Sequence, residues 1–408
     1  MNLKPAETPD EFKFQSELDT AFRASHQSTN VSRIELRKPT PIQGQIGSLN
    51  VNSNPIEAVG YGNLRKEYPL ELMSFQRRAP RPEDVVIEIM YCGVCHSDWH
   101  VNRDEWKNTK FPIITGHEII GRVVKIGNRV RKFKVGDLAG LGPNYDSCQQ
   151  CEHCNEGFEQ YCKNDVTETY NMPERLPGEI KGTGAITQGG YSNVIVANER
   201  YVLNIPTGAN LAELAPILCA GATMYTPLKY CGLPAGARIG IAGLGGLGNI
   251  GSKLTKSMGY ELIVLTTTPD KIQDSINLGA DQGLLATNLD VMDAYKLSFD
   301  LIICTIPFRH DINMYIELLK PHGVMWVVGA MIPMTVDFDI VNRKGRIVRG
   351  SSTAGITDTQ ECIDYCVANN IYPDIQLISI SDINATHEKI VNKEVRYRYV
   401  VDMSTIYE

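Results

Sequence analysis

The chain has 408 residues, 43% of them apolar and 21% charged, which suits a soluble globular protein of two domains with a modest appendage. Its net charge of −7, with no Lys/Arg block, argues against nucleic acid as the main partner. No apolar run approaches the ~18 residues of a membrane span, and the N-terminus lacks the apolar core of a secretory signal. A cytoplasmic setting is therefore expected, and the eleven cysteines are read first as reduced thiols or metal ligands.

Residues 1–55 are polar and rich in Ser, Asn, Gln and Thr. Phe12, Phe14, Leu18 and Phe22 could form one short amphipathic helix there, and the rest reads as extension. From Pro55 to about Pro206, strand-like runs such as Val85–Tyr91 and Ile119–Ile126 alternate with Gly-rich turns, predicting an irregular antiparallel β domain. Near Leu211 the texture changes. The runs Arg238–Ile241, Leu262–Leu265, Leu301–Cys304 and Met325–Val328 alternate with helical periodicity, predicting a parallel sheet with helices on both faces. After about Ser351 the alternation breaks down, and the tail from Thr357 could return to the first domain.

Three clusters carry chemistry. "YCGVCHSDWH" packs Cys92, Cys95, His96 and His100 into ten residues, but a zinc finger needs ~12 residues between its cysteine and histidine pairs, and Cys95 and His96 are adjacent. Cys148-x2-Cys151-x2-Cys154-x7-Cys162 can close a tetrahedron of thiolates around zinc, which makes a structural site. Disulfides are the competing reading, and His153 within the loop is expected to face solvent or sit beside the metal. "GHE" at Gly116-His117-Glu118 offers an imidazole that, with Cys95 and Cys219, could form an open metal site. On chemistry alone that last grouping is weak.

"GLGGLG" follows the strand ending at Ala242 and opens a helix with Leu247, Ile250, Leu254 and Met258 on one face and Gly259 as its stop. With a second strand arriving on time, this is a dinucleotide fingerprint. Gly243, Gly245, Gly246, Leu247 and Gly248 would bring backbone against a pyrophosphate at the positive end of the helix. The second strand ends in Thr266-Thr267-Thr268, where a ribose-binding acid would stand, and Asp270 comes late. Three hydroxyls and Lys271 suit a 2′-phosphate, so NADP is preferred to NAD. The bland alternative is that Thr268 caps a helix with Pro269 at its first position.

Taken together, "YCGVCHSDWH", "GHEIIGRVVKIG", "VGDLAGLG", "CQQCEHCNEGFEQYC", "GGYSNVIVANERYVLNIP", "APILCAGATMY", "GLGGLGNIGSKLTKSMG" and "VRYRYVVDM" resemble the zinc-dependent alcohol dehydrogenases of the medium-chain superfamily, in the cinnamyl alcohol dehydrogenase branch. The likeness spans about Ala58 to Met403. It implies an α/β fold with a GroES-like catalytic domain over 56–216, completed by 352–408, and a Rossmann NADP-binding domain over 217–351. The extension at 1–55 has no counterpart.

The resemblance further implies a catalytic zinc on Cys95, His117 and Cys219 and a structural zinc on Cys148, Cys151, Cys154 and Cys162, two ions per chain. By the same likeness Glu118 is a carboxylate near the catalytic metal, Asp98 orients the imidazole, and Ser97 and His100 relay a proton. His96 lies near the cofactor pyrophosphate. Trp99 and Trp106 are candidates for the substrate pocket, Phe308 and Met331 weaker ones, and Cys92 is core. The implied activity is NADP(H)-linked, reversible oxidation of aromatic or medium-chain primary alcohols, in a homodimer. The alternative is a non-catalytic relative that binds zinc and dinucleotide as a structural or redox-sensing protein. A complete Ser97–His100 relay favours the enzyme.

Overall fold

The computed structural model describes residues 54–329, 332–392 and 394–408. The helix expected around Phe12–Phe22, and Met331, lie outside them. Two sheets organise the chain. The first has seven strands, in the order Ile375–Ser379, Arg398–Asp402, Asp84–Val94, Ile119–Ile126, Leu138–Leu141, Leu203–Asn204, with Val194–Asn198 also paired to Asp84–Val94. Its neighbours are antiparallel except Ile375–Ser379 and Arg398–Asp402, which run parallel through the intervening helix Ile383–Val391. The C-terminal tail thus completes the N-terminal sheet. Asp84–Val94 serves as its spine, because its second half pairs with the tail and its first half with Val194–Asn198. Val85, Ile87, Ile89, Cys92 and Val94 are buried in one core with Ile119, Val123, Tyr191 and Val401.

The second sheet has six parallel strands in the order Gln282–Leu285, Glu261–Thr266, Arg238–Ala242, Phe299–Cys304, Leu319–Val327, Ile347–Gly350. Numbered along the chain this is 3-2-1-4-5-6, the doubly wound order of dinucleotide-binding sheets. Helices cover both faces, so the central strands are continuous apolar runs. Leu262 to Leu265 and Leu301 to Cys304 are all buried. The order reverses between Arg238–Ala242 and Phe299–Cys304, and a ligand crevice opens at such a switch point. Thr305 rivets it, its hydroxyl donating to the carbonyls of Ala242 and Gly243, 3.0 Å each. No helix among the described residues is long and apolar enough to cross a membrane.

Candidate active site in the cleft between the two sheets

Cys95, His117, Glu118 and Cys219 come from three distant stretches, yet their ligand atoms lie within 4.8 Å of one another and all four residues are buried. Cys95 leaves the spine strand and caps the helix His96–Asn102. His117 follows Gly116, whose φ of +97° is accessible to glycine and strained for other residues. Cys219 immediately precedes the helix Ala220–Tyr230. Gly93 leaves the room that Glu118 occupies, since a Cβ there would stand 2.9 Å from the Glu118 Cβ.

Asp98, fully buried, holds this arrangement together. Its carboxylate accepts from the amides of Cys95 (2.9 Å) and Gly116 (3.0 Å) and from the Tyr191 hydroxyl (2.8 Å), and it lies 3.2 Å from His117 Nδ1. The Tyr170 hydroxyl is 3.1 Å from the same nitrogen. The other ring nitrogen, Nε2, therefore faces the cluster, 3.2 Å from Cys219 Sγ. Burial acts to raise the Asp98 pKa, but His117 outweighs it and holds the carboxyl below its ordinary range. The hydrogen bond with Cys219 lowers the Cys95 thiol well below its usual value, helped against burial by Arg398 and His117. Glu118 Oε2 is buried with no hydrogen-bond partner. Two thiols, one poised as thiolate, an oriented imidazole and an orphaned carboxylate oxygen form a donor set that fits zinc.

A second set of donors closes elsewhere. The sulfurs of Cys148, Cys151, Cys154 and Cys162 also lie within 4.8 Å of one another, and all four cysteines are free thiols, so the disulfide reading falls. Among the described residues no further His, Cys, Asp or Glu joins the four sulfurs. His153 stays outside it, its ring 3.8 Å from Glu152 at the surface.

The open cluster borders a cleft of about 600 Å³ lined by both sheets. The glycine loop forms one wall. Gly243 has φ +101°, a Cβ at Gly245 would meet no atom within 4 Å, and Gly246 and Leu247 begin the helix Gly246–Ser257. Gly248 sits behind the loop, where a side chain would run into the Gly243 carbonyl. Exposed backbone at a helix N-terminus with open space before it fits a diphosphate. Thr266, Thr267, Thr268 and Lys271 line the same cleft, with the Lys271 ammonium donating to the Leu244 carbonyl at 2.9 Å. The next helix is Asp270–Asn277 with Pro269 at its N-cap, one position later than a Thr268 cap would place it. Among the described residues lining the cleft, Glu105 is the only carboxylate.

Known proteins share both halves of this architecture. The alcohol dehydrogenase GroES-like domain family matches residues 81–207, and the zinc-binding dehydrogenase family matches residues 246–368. An aldehyde reductase of Escherichia coli is 42% identical over 86% of this chain and 99% of its own. The chain belongs to the zinc-dependent alcohol dehydrogenases, in their cinnamyl alcohol dehydrogenase branch. A cinnamyl alcohol dehydrogenase of Sorghum bicolor has the same fold at 34% identity, with a TM-score of 0.82 over 86% of this chain and 98% of that one. Another, from Helicobacter pylori and complexed with NADP(H), is 36% identical, with a TM-score of 0.81 over 86% and 99%. The protein is thus an oxidoreductase acting on alcohols and aldehydes.

In this alcohol dehydrogenase Ser97 and His100 stand on the helix that begins beside Cys95. Ser97 Oγ lies 3.1 Å from Cys95 Sγ, and His100 Nδ1 lies 2.5 Å from Glu105 Oε2. His96 stacks on His100 at 4.7 Å. Phe308 closes the row against His96 at 6.0 Å and Trp106 against His100 at 5.2 Å, so four rings form one wall of the cleft. Trp99 does not belong to that wall. Its ring packs edge-on against buried His387 at 6.0 Å, with the Arg103 guanidinium 5.0 Å over it. The helix turns it away, since residues 96, 97 and 100 share the cleft face and 99 falls outside it.

Two residues in contact with the site escaped the sequence reading. Arg398 is buried and contacts Glu118 Oε1. A lone basic residue in the apolar strand Arg398–Asp402 was the available signal, because a buried charge needs a partner. Glu105 holds His100 and also accepts from Trp99 Nε1 at 3.2 Å. An exposed acid in a loop gives no such signal.

Proposed function

We propose that this enzyme is an NADP(H)-linked, reversible alcohol dehydrogenase and aldehyde reductase for aromatic, cinnamyl-type or medium-chain primary substrates. In this reading Cys95, His117 and Cys219 hold the catalytic zinc, and Cys148, Cys151, Cys154 and Cys162 hold a structural one. The observation that carries it is that Cys95 and Cys219, gathered with His117 within 4.8 Å, line one cleft together with Ser97, His100 and the glycine loop.

When bound, zinc supplies Lewis acidity to the substrate oxygen and NADP(H) the hydride chemistry. The chain's own residues orient and move the proton. Asp98 fixes His117 so that Nε2 is the donor atom. Ser97 passes the proton between the substrate oxygen and His100, and Glu105 steers the His100 ring and opens the route to solvent. Glu118, with its unpartnered Oε2, assists exchange at the open position. The glycine loop seats the diphosphate, while Thr266, Thr267, Thr268 and Lys271 favour a 2′-phosphate where an acid would repel it.

A homodimer through the parallel sheet accords with its edge strand Ile347–Gly350, in which Ile347 is 48% exposed, and with Phe338 of the preceding helix Phe338–Asn342, 63% exposed.

Metal analysis beside NADPH oxidation with cinnamaldehyde tests the reading. Two zinc ions are expected in the wild type, and one, with activity lost, in Cys95→Ser. Unchanged activity in the variant, or one zinc in the wild type, overturns it.

A further inference from the structure

The helix that opens at the glycine loop is tied to the catalytic sheet by one side-chain clasp. Asn249, fully buried in its first turn, donates from Nδ2 to Asp374 Oδ2 (2.8 Å) and accepts at Oδ1 from the Asp374 amide (3.1 Å). One turn on, Lys253 donates to Asp374 Oδ1 (2.9 Å) and to the Tyr372 carbonyl (2.8 Å). Asp374 directly precedes the strand Ile375–Ser379, which pairs with Arg398–Asp402 along its whole length, Ile375 opposite Arg398. Arg398 in turn contacts Glu118 and packs over Gly246, where a Cβ would stand 2.7 Å from its Cδ. One pair of strands therefore fixes both the metal cluster and the helix that carries the diphosphate cradle.

We infer that Asp374 is a positioning residue for hydride transfer, setting through Asn249 and Lys253 where the dinucleotide stands relative to Cys95, His117 and Cys219. The inference rests on the glycine loop being the dinucleotide cradle, as proposed above. Asp374 is 53% exposed at its side chain, so the clasp adds little to global stability. Its effect is on placement. A helix in its first turns moves as a rigid body, and a misplacement near 1 Å can cost on the order of 100-fold in rate.

The test compares Asp374→Ala, Asp374→Asn, Asn249→Leu, Lys253→Met and the double variant Asn249→Leu/Asp374→Ala in the full-length, zinc-loaded enzyme. Asp374→Ala is expected to lower kcat about tenfold and to raise the primary isotope effect with C4-deuterated NADPH. Its NADPH Kd, read by fluorescence titration, should weaken several-fold while the aldehyde KM holds. Asp374→Asn keeps an oxygen for Asn249 Nδ2 but turns its NH2 toward Lys253, so it should lose no more than the roughly twofold expected of Lys253→Met. The double variant should be no worse than the worse single. If Asn249→Leu fails to fold, half-buried Lys253→Met carries the same expectation at about twofold. Variants with wild-type kcat, isotope effect and Kd but a lower Tm overturn the inference, as does additivity in the double variant. A wild type that binds no NADPH overturns the cradle reading itself and the clasp with it.

Discussion

Arg398 and Glu118, 280 residues apart in the chain, form a buried ion pair beside the donors Cys95, His117 and Cys219. Burial pushes the Glu118 carboxyl up to about 8 against the pull of Arg398, while Arg398, itself opposed by burial, is raised by Glu118 and by the thiols of Cys95 and Cys219. Burial and Arg398 thus pull the Glu118 carboxyl in opposite directions, and burial is the stronger. Arg398→Met should cost roughly 3–5 kcal/mol of stability and most of the activity, since it strands one member of a buried pair. Denaturant unfolding of Arg398→Met and of Arg398→Met/Glu118→Gln checks this. The double variant should recover much of the stability and none of the activity.

The closed cysteine cluster separates stability from catalysis. With the proposed structural zinc on these sulfurs, Cys154→Ser is expected to lower Tm by roughly 5–10 °C, because metal binding would then be folding free energy. At a temperature where the variant is folded, kcat should stay within about twofold of wild type. A Tm that does not move in differential scanning calorimetry removes the structural role.

His387 gives the acid limb of stability. It is 1% exposed, its Nε2 has no partner, and burial, working against Asp98, lowers its pKa from 6.5 to about 4. Above pH 6.5 both states are neutral and the full stability is present. As pH falls from about 6.5 to about 4 the unfolded chain takes up a proton that the folded one refuses, so stability declines by roughly 3 kcal/mol across that window. His387→Leu should flatten this part of the urea-midpoint profile. An unchanged slope would falsify the assignment.

The wall of rings predicts selectivity. Phe308→Val and Trp106→Ala should each raise KM for cinnamaldehyde up to about tenfold, with a smaller change for hexanal, since ring pairs contribute ~0.5–1.5 kcal/mol beyond their area. Trp99→Leu, off the wall, should leave the ratio of the two KM values alone. Equal shifts for both aldehydes in the Phe308 and Trp106 variants would remove the wall from substrate choice.

Lys271→Ala tests the choice of cofactor. Loss of one charged contact to a 2′-phosphate should raise KM for NADPH about 10–100-fold and change that for NADH little. An NADPH preference that survives intact means the three threonines suffice.

Much of this protein could be read from local spacing. The Cys148–Cys162 run closes within a single loop, and the strand–glycine–helix signature at 238–257 declares itself because hydrogen-bond periodicity and backbone freedom are local properties. Cys95, His117 and Cys219 were nameable only through resemblance, since nothing in their spacing says that three distant stretches converge. Tertiary structure alone decided the rest. It turned Trp99 onto His387 by the angle of one short helix and left Trp106, in the turn that follows, in the cleft. It brought Arg398 to Glu118 by pairing the last strand with the spine of the first sheet. It also fastened Asn249 to Asp374 across the two sheets. The sequence by itself determined which elements form and which chemistries are on hand. Long-range strand pairing and burial determined which side chains meet, because those contacts depend on the whole chain being folded at once.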